Sequence, residues 1–221
     1  MRTGIQGGTF DPIHFGHLCS AEDVSFQLKL DRVIFIPSGT PPHKSSPFMA
    51  SSSDRFNMVE IAIEGNSSFF SDSVEIDREG FSYTIDTLEI LSKTTCMGDE
   101  IFFIIGEDTF LNMHTWEKPL EVLNRVNFAV TIKEECNTKE IIIELKKNFQ
   151  DLKLEFDYSF LTENKCEVLD SNTLIEFVPI RRLDISSSDI RKNIKNSRSV
   201  RYLLPRKVEN FIIDKKLYKA I

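Results

Sequence analysis

The segment GGTFDPIHFGHL, residues 7–18, constrains the fold of this chain more than any other stretch. It follows a short strand predicted over Arg2–Gln6 and precedes apolar residues at helical spacing between residues 17 and 30. Gly7 and Gly8 permit backbone dihedrals that other residues avoid, and they let a ligand approach the main chain closely. The order of strand, glycine turn and helix therefore predicts a binding site at this turn.

Two histidines three residues apart stand where that helix begins. Gly16 removes a side chain between His14 and His17, and the unpaired N–H groups and dipole of a helix start favour an anion. If the helix begins near Pro12 or Ile13, both imidazole rings can point at that anion. A histidine pair could also bind zinc, but the sequence offers no further zinc ligand nearby at suitable spacing beyond Asp11. We favour a phosphate site.

Length, composition and charge indicate what kind of protein this is. With 221 residues, 41% of them hydrophobic, the chain is expected to fold as a single domain over 1–221. Cys19, Cys96, Cys136 and Cys166 are scattered without a CxxC pair, which is typical of reduced thiols. The sequence has no apolar run long enough for a membrane span and no signal-like start, so we expect a cytoplasmic protein without a membrane partner. The net charge of −7 argues against nucleic-acid binding.

Strands and helices are predicted to alternate along the chain. Further strands are predicted over Arg32–Pro37, Ser73–Asp77, Glu100–Ile105, Asn127–Ile132 and Leu174–Ile180, and further helices over 54–64, Ser82–Lys93, Glu140–Phe149, Ser186–Ile194 and Pro205–Lys216. This alternation predicts an α/β fold with a mostly parallel sheet. Residues 133–170 are charged and weakly patterned, and could form a variable insertion with a surface helix. Residues 181–221 are expected to form a small helical C-terminal part.

The motif ISSSDIR, residues 185–191, predicts a second anion site. Serine hydroxyls and the first N–H groups of a helix point the same way, and Arg191 adds a permanent fork of donors one turn in. A serine run before a helix is also an ordinary N-cap, so the motif is informative chiefly beside the first one. It lies within residues 181–207, which carry nine basic against two acidic residues. We expect only one or two of these arginines to bind an anion.

The polar clusters all follow predicted strand ends, at residues 7–17, 38–44, 106–116 and 185–191. Ligands of open α/β sheets bind at the carboxyl ends of the strands. We therefore expect these four clusters to form one composite site.

Together these motifs resemble the HxGH nucleotidyltransferases, and GGTFDP resembles their bacterial nicotinate mononucleotide adenylyltransferase branch. Other segments resemble that branch in the same order: IPSGTPPHK (36–44), DRFNM (54–58), FSYT with Thr87, and IGED with Trp116. Three places depart from it: Ser188 stands where Thr is usual, Gln6 stands where an apolar residue or glycine is usual, and Met113 with His114 beside it could change the contacts around the pyridine pocket. The resemblance implies a Rossmann-like three-layer domain.

The resemblance also implies an activity in NAD biosynthesis. The 5′-phosphate of nicotinate mononucleotide would attack the α-phosphorus of ATP, forming deamido-NAD and releasing pyrophosphate. His17 would stabilise the charge on the α-phosphate, His14 would orient the phosphates, and Arg191 would hold the β- and γ-phosphates. Mg²⁺ would be carried by the triphosphate, without a set of protein ligands.

Further binding residues are implied in the same way. Those expected to bind ATP are Gly7, Gly8, Thr9, Phe10, Gly16, Lys44, Gly106, Asp108, Ile185, Ser187 and Ser188. Those expected to bind the mononucleotide are Tyr83, Thr84, Thr87 and Trp116, with Trp116 stacked on the pyridine ring. Three have a plainer alternative: Lys44 as a solvated side chain, Asp108 as a structural residue and Trp116 as core packing.

Other functions stay open at this point. A related adenylyl- or cytidylyltransferase would use another acceptor, such as nicotinamide mononucleotide or phosphopantetheine. Class I aminoacyl-tRNA synthetases also carry an HxGH-like element, but they need a longer chain and a lysine-rich second motif. A non-catalytic nucleotide-binding protein would not need both histidines and Arg191. The sequence leaves open whether the protein forms a homo-oligomer.

Overall fold

A computed structural model describes residues 1–40, 49–133, 135–181 and 183–219. Within them, one sheet runs through the molecule in the order β3-β2-β1-β4-β5-β8-β7-β6. Its strands are β1 (Arg2–Gly8), β2 (Arg32–Pro37), β3 (Phe69–Ser71), β4 (Glu100–Gly106), β5 (Asn127–Ile132), β6 (Tyr158–Thr162), β7 (Lys165–Val168) and β8 (Thr173–Pro179).

The parallel part of the sheet positions the functional region. Strands β3, β2, β1, β4, β5 and β8 pair in parallel, and Ile5 of β1 lies between Ile34 of β2 and Phe103 of β4. The chain leaves β1 toward β2 on one side and later returns to β4 on the other. The strand order therefore reverses between β1 and β4, and a crevice opens there at the carboxyl ends of the strands.

Helices cover both faces of the sheet. They are α1 (Phe15–Leu28), α2 (Ser52–Ile63), α3 (Thr84–Lys93), α4 (Glu107–Leu111), α5 (Pro119–Leu123), α6 (Thr138–Gln150), α7 (Ser187–Lys195) and α8 (Arg206–Asp214), with a 3₁₀ turn at Asn112–Thr115. Serine N-caps start two of them as predicted, since Ser51 accepts from the Asp54 amide and Ser186 from the Asp189 amide.

Two apolar clusters lie on opposite faces of the sheet. One joins Leu88 of α3, Phe128 of β5 and Phe149 of α6, and the other joins Phe35 of β2 and Met58 of α2 with the buried faces of α1, α7 and α8. Helix, sheet and helix thus form three layers. This confirms the predicted Rossmann-like three-layer α/β domain with a mostly parallel sheet.

The strand predicted over Ser73–Asp77 is wrong. The edge strand is β3, which pairs with β2 through Phe69 and Val33, and the chain then turns. The Asp72 carboxylate accepts from the Val74 amide, and the Ile76 amide donates to the Ser73 carbonyl. These local bonds satisfy the backbone within the turn, so the apparent alternation of residues 73–77 does not lead to sheet pairing.

Residues 135–170 are built into the same sheet and core. The predicted surface helix is α6, but Ile142, Leu145 and Phe149 on one face of it are fully buried. The rest forms the antiparallel pair β6–β7, which extends the sheet beyond β8. That this segment is a variable insertion stays a prediction.

In the described part of the chain, no helix combines the length and apolar character that crossing a membrane requires.

Candidate active site

The glycine turn after β1 differs in detail from its prediction. β1 extends through Gly7 and Gly8, so both glycines have strand geometry, and the left-handed backbone conformation falls on Phe10, with φ of 49°. The prediction of unusual dihedrals at the glycines is therefore wrong. A side chain at position 8 would crowd Phe10, because a Cβ there would lie 3.1 Å from that ring. Close approach of a ligand to this main chain stays a prediction.

The two histidine rings stack on each other at the start of α1. The helix begins at Phe15 with His14 at the N-cap, rather than near Pro12 or Ile13. The ring centroids of His14 and His17 are 3.7 Å apart with an angle of 24° between the ring planes. Gly16 makes room for this stack, since a Cβ there would lie 3.0 Å from the His14 ring.

Burial keeps His14 neutral. The residue is 5% exposed, and desolvation lowers the pKa of its imidazole from 6.5 to about 4. Its backbone N–H donates to Nδ1 of His17 at 3.3 Å. Because Nδ1 accepts, the proton of a neutral His17 ring lies on Nε2, which can donate to an oxyanion.

The second motif contacts the first directly. The Ser187 hydroxyl donates to the Pro12 carbonyl at 2.9 Å. Arg191 donates from Nη1 to the Asp11 carbonyl at 2.6 Å and from Nη2 to the Ser188 hydroxyl at 3.2 Å. Residues about 180 positions apart in sequence are thus in contact, which brings together two of the four clusters that the strand-end argument expected to meet.

Three other cations of the basic segment pair with carboxylates outside the two motifs. Ion pairs join Arg181 to Asp23, Arg206 to Glu209 and Lys207 to Glu64. Of the arginines in the described part of this segment, Arg191 lines the cavity that lies between the two motifs. That only one or two of these arginines bind an anion stays a prediction.

A cavity of about 790 Å³ lies between the two helix starts. Its lining includes the predicted residues Gly8, Thr9, Phe10, His14, His17, Asp108, Ile185, Ser187, Ser188 and Arg191. Imidazole, hydroxyl, amide and guanidinium donors therefore converge on one polar space. Such a donor set fits a chain of phosphates.

A neighbouring cavity of about 420 Å³ has a more apolar wall. Its lining includes Phe103 and the predicted residues Gly7, Thr84, Thr87, Gly106 and Trp116. Gly8, Thr9, His17 and Thr109 line both cavities. The two cavities therefore meet at His17, which suits two ligands that react beside this ring.

The residues predicted for the mononucleotide take different positions. Trp116 is half-buried and lies edge-on to Phe103, with 6.0 Å between ring centroids, so it both packs and lines the smaller cavity. The Thr87 hydroxyl donates to the Glu75 carboxylate at 2.8 Å. Tyr83 lies at the N-cap of α3 with its ring 6.2 Å from that of Phe81, and it is outside the lining of either cavity. Lys44 lies outside the described residues.

Arg55 is a residue of this region that the sequence analysis gave no role. It is 1% exposed, and its guanidinium donates to three main-chain carbonyls: Thr9 at 2.7 Å, Gly39 at 3.0 Å and Ala50 at 3.3 Å. Burial lowers its pKa, while nearby Asp11 and Glu75 favour the charged form. The DRFNM resemblance marked the helix start but not this contact between loops.

Glu75 and Gly39 form a second unpredicted contact. A Cβ on Gly39 would lie 2.0 Å from the Glu75 carbonyl oxygen, so only glycine fits there. The Gly39 amide donates to the Ser82 hydroxyl at 3.0 Å. Burial raises the pKa of the Glu75 carboxyl, which lines the smaller cavity. No local pattern in the sequence indicates a contact that depends on how two loops meet.

Among the described residues, no group of three or more His, Cys, Asp or Glu side chains is arranged to hold a metal ion. Asp11 and Asp108 are the carboxylates that line the larger cavity in this part of the chain. Asp11 already accepts hydrogen bonds from the Ala50 amide and the Tyr218 hydroxyl.

The sheet is mostly parallel, and it brings an HxGH helix start and a serine–arginine helix start to one cavity. This combination defines a nucleotidyltransferase of the HxGH class. Comparison with known proteins agrees with this class. The model of the cytidylyltransferase-like family matches residues 5–193. The chain belongs to this family and, within it, to the nicotinate-nucleotide adenylyltransferases.

Two curated relatives support the narrower assignment. A protein of Clostridium botulinum (strain Eklund 17B / Type B) is 39% identical over 218 residues, which cover 99% of this chain and 98% of the relative. One of Thermoanaerobacter sp. (strain X514) is 38% identical over 219 residues, covering 99% and 95%. Both are named "Probable nicotinate-nucleotide adenylyltransferase".

A solved structure shares the fold. The nicotinic acid mononucleotide adenylyltransferase of Plasmodium falciparum, in complex with NaAD, matches with a TM-score of 0.73 at 18% identity. The match covers 98% of this chain and 97% of the other. At this identity, the likeness supports the fold.

Proposed function

We propose that this protein transfers the adenylyl group of ATP to nicotinate mononucleotide, giving deamido-NAD and pyrophosphate. The observation that carries the proposal is the meeting of a polar and a more apolar cavity at His17. The names of the full-length relatives support the same reaction. ATP and a mononucleotide can then lie on either side of one imidazole.

In this arrangement the triphosphate lies in the larger cavity. Arg191, Ser188 and the first amides of α7 hold the β- and γ-phosphates, because a guanidinium fork and a helix start both favour phosphate oxygens. The α-phosphate then lies beside His17, at the boundary of the two cavities.

The chemistry needs positioning and charge neutralisation more than proton transfer. An oxygen of the mononucleotide 5′-phosphate forms a bond to the α-phosphorus as the bond from that phosphorus to the bridging oxygen breaks. The electron pair leaves with pyrophosphate. Because the nucleophile is already an anion, no general base is required.

His17 stabilises the charge that develops on the α-phosphate. Its Nε2–H donates to a non-bridging oxygen, and the bond from the His14 amide to Nδ1 fixes the ring orientation. His14 supports the ring by stacking and stays neutral, so it adds no charge of its own beside the reacting phosphate.

The mononucleotide occupies the smaller cavity. Trp116 contacts the pyridine ring, and Thr84 with the first amides of α3 binds the nicotinate carboxylate, since a helix start favours a negative group. This assignment favours nicotinate over the uncharged nicotinamide.

Mg²⁺ enters with ATP in this proposal. The donor set fits a metal held mainly by the triphosphate, because magnesium keeps several waters and binds few protein groups in nucleotide sites. Asp108 lines the same cavity and is available as an outer ligand. When bound, the metal neutralises part of the phosphate charge.

Acceptor choice tests the proposal. The purified protein is incubated with ATP, Mg²⁺ and one acceptor at a time: nicotinate mononucleotide, nicotinamide mononucleotide or phosphopantetheine. We expect pyrophosphate release and deamido-NAD, identified by mass, with nicotinate mononucleotide as the best acceptor. Faster release with another acceptor would assign a related transferase, and ATP binding without release from any acceptor would assign a non-catalytic nucleotide binder.

A further inference from the structure

A buried tyrosine beyond α8 reaches the first motif from the far end of the described chain. Tyr218 is 9% exposed, and its hydroxyl donates to Oδ1 of Asp11 at 2.7 Å. Burial and the neighbouring carboxylate raise the pKa of this phenol, so it remains a donor. Its backbone has a φ of 62°, in the left-handed region that non-glycine residues disfavour. The fold holds this ring in place against a local backbone preference.

Asp11 connects Tyr218 to the phosphate site. Its Oδ1 also accepts from the Ala50 amide at 3.1 Å, and its Oδ2 lies 3.5 Å from Nη1 of Arg191. The same Nη1 donates to the Asp11 carbonyl oxygen at 2.6 Å. Asp11 is therefore a buried carboxylate beside the guanidinium that faces the larger cavity.

We infer that Tyr218 is a positioning residue that sets how strongly Arg191 binds the triphosphate. Its hydrogen bond satisfies one oxygen of Asp11 and fixes the carboxylate, so the guanidinium stays only loosely paired at Oδ2. Without the hydroxyl, the under-satisfied carboxylate draws Arg191 toward itself and competes with phosphate oxygens for the same donors. The inference rests on the proposed function, because it concerns the same triphosphate site.

Tyr218→Phe tests this inference while keeping the buried ring. We expect ATP affinity, measured by calorimetry, to fall about fivefold to tenfold, with the KM for the mononucleotide and kcat changed by less than about twofold. Tyr202→Phe is the matched control, since Tyr202 is 83% exposed, and it should bind ATP as the unmodified protein does. A Tyr218→Phe protein that only melts at a lower temperature, with ATP affinity unchanged, would overturn the inference.

A double-mutant cycle tests whether Tyr218 affects ATP binding through Arg191. If Tyr218 acts through Arg191, adding Tyr218→Phe to Arg191→Ala changes ATP affinity by less than about twofold, whereas independent effects would multiply. Multiplying effects, or equal losses for ATP and mononucleotide, contradict the inference. Calorimetry with ATP does not depend on turnover. Absence of pyrophosphate release would therefore refute the proposed function and leave the cycle interpretable.

Discussion

The helix starts of α1 and α7 face the same cavity but are built in opposite ways. α1 presents two stacked imidazoles, one of them buried and held neutral by desolvation. α7 has a serine cap and presents Arg191, a half-exposed and permanent cation. The difference suggests a division of roles in which α7 supplies ground-state affinity for phosphate and α1 supplies oriented donors for the reaction. Variants at the two helix starts test the two sides of this division.

The largest effect is expected for His17→Ala. Loss of one preorganised donor to the reacting phosphate should lower kcat on the order of a hundredfold or more, with little change in ATP affinity. Steady-state kinetics and calorimetry measure the two separately. His114→Ala is a suitable control, because His114 bonds to the Leu111 carbonyl and lines neither cavity. Near-normal turnover of His17→Ala would remove this ring from the mechanism.

The buried imidazole predicts a pH-dependent stability. The pKa of His14 is lowered from 6.5 to about 4 in the folded state, so between these values the unfolded chain binds a proton that the folded protein does not. The contribution of His14 to the free energy of unfolding should therefore fall by about 2 kcal/mol from pH 7.5 to pH 5. Urea unfolding of the unmodified protein and of His14→Gln at both pH values isolates this contribution, since all other groups titrate in both. Equal losses in the two proteins would contradict it.

Arg191→Ala tests the α7 side of the comparison. Removing the guanidinium should weaken ATP binding about tenfold and mononucleotide binding far less, because the fork faces only the larger cavity. Calorimetry with each ligand gives both values. Arg198→Ala, in the same basic segment but exposed, provides the control. Equal weakening of both ligands would show that Arg191 has a general structural role.

Gly16→Ala should give the smallest effect. The added Cβ would lie 3.0 Å from the His14 ring and 3.6 Å from the Ile185 carbonyl, so the stacked rings must shift by a few tenths of an ångström. We expect kcat to fall roughly threefold to fivefold with ATP affinity nearly kept, since a small misplacement affects donors in the transition state more than ground-state binding. A loss confined to ATP affinity would place the requirement for glycine on the α7 side.

The sequence predicted most of the strands and the serine-capped start of α7, because buried apolar runs, N-caps and the two anion motifs are local patterns. The three layers were implied by the family resemblance, and α1 begins at Phe15, later than the residues near Pro12 or Ile13 from which the histidine argument started. The sequence did not predict β3, whose pairing with β2 is a long-range choice, and it placed a strand on the turn at 73–77. The assignment of unusual dihedrals to Gly7 and Gly8 failed for a related reason. Where the chain bends depends on how far β1 stays paired with β2, and the bend falls on Phe10.

Contacts between distant loops were the least predictable part of the site. Arg55, Glu75 and Tyr218 each act through partners many positions away, and nothing in their immediate neighbours indicates those partners. The predicted site residues came from motifs in which the chemistry and the local backbone are specified together. Their roles remain predictions, while the convergence of most of them on two adjoining cavities is a property of the fold.

Arg55 has a consequence for how the site can move. Its guanidinium joins the carbonyls of Thr9, Gly39 and Ala50, which follow β1, follow β2 and precede α2. Separating these segments would leave a cation inside the protein without its acceptors, at a cost that a small ligand does not readily offset. The three segments should therefore move as one rigid body. Any movement that brings the two proposed reactants together would then have to come from other segments of the site.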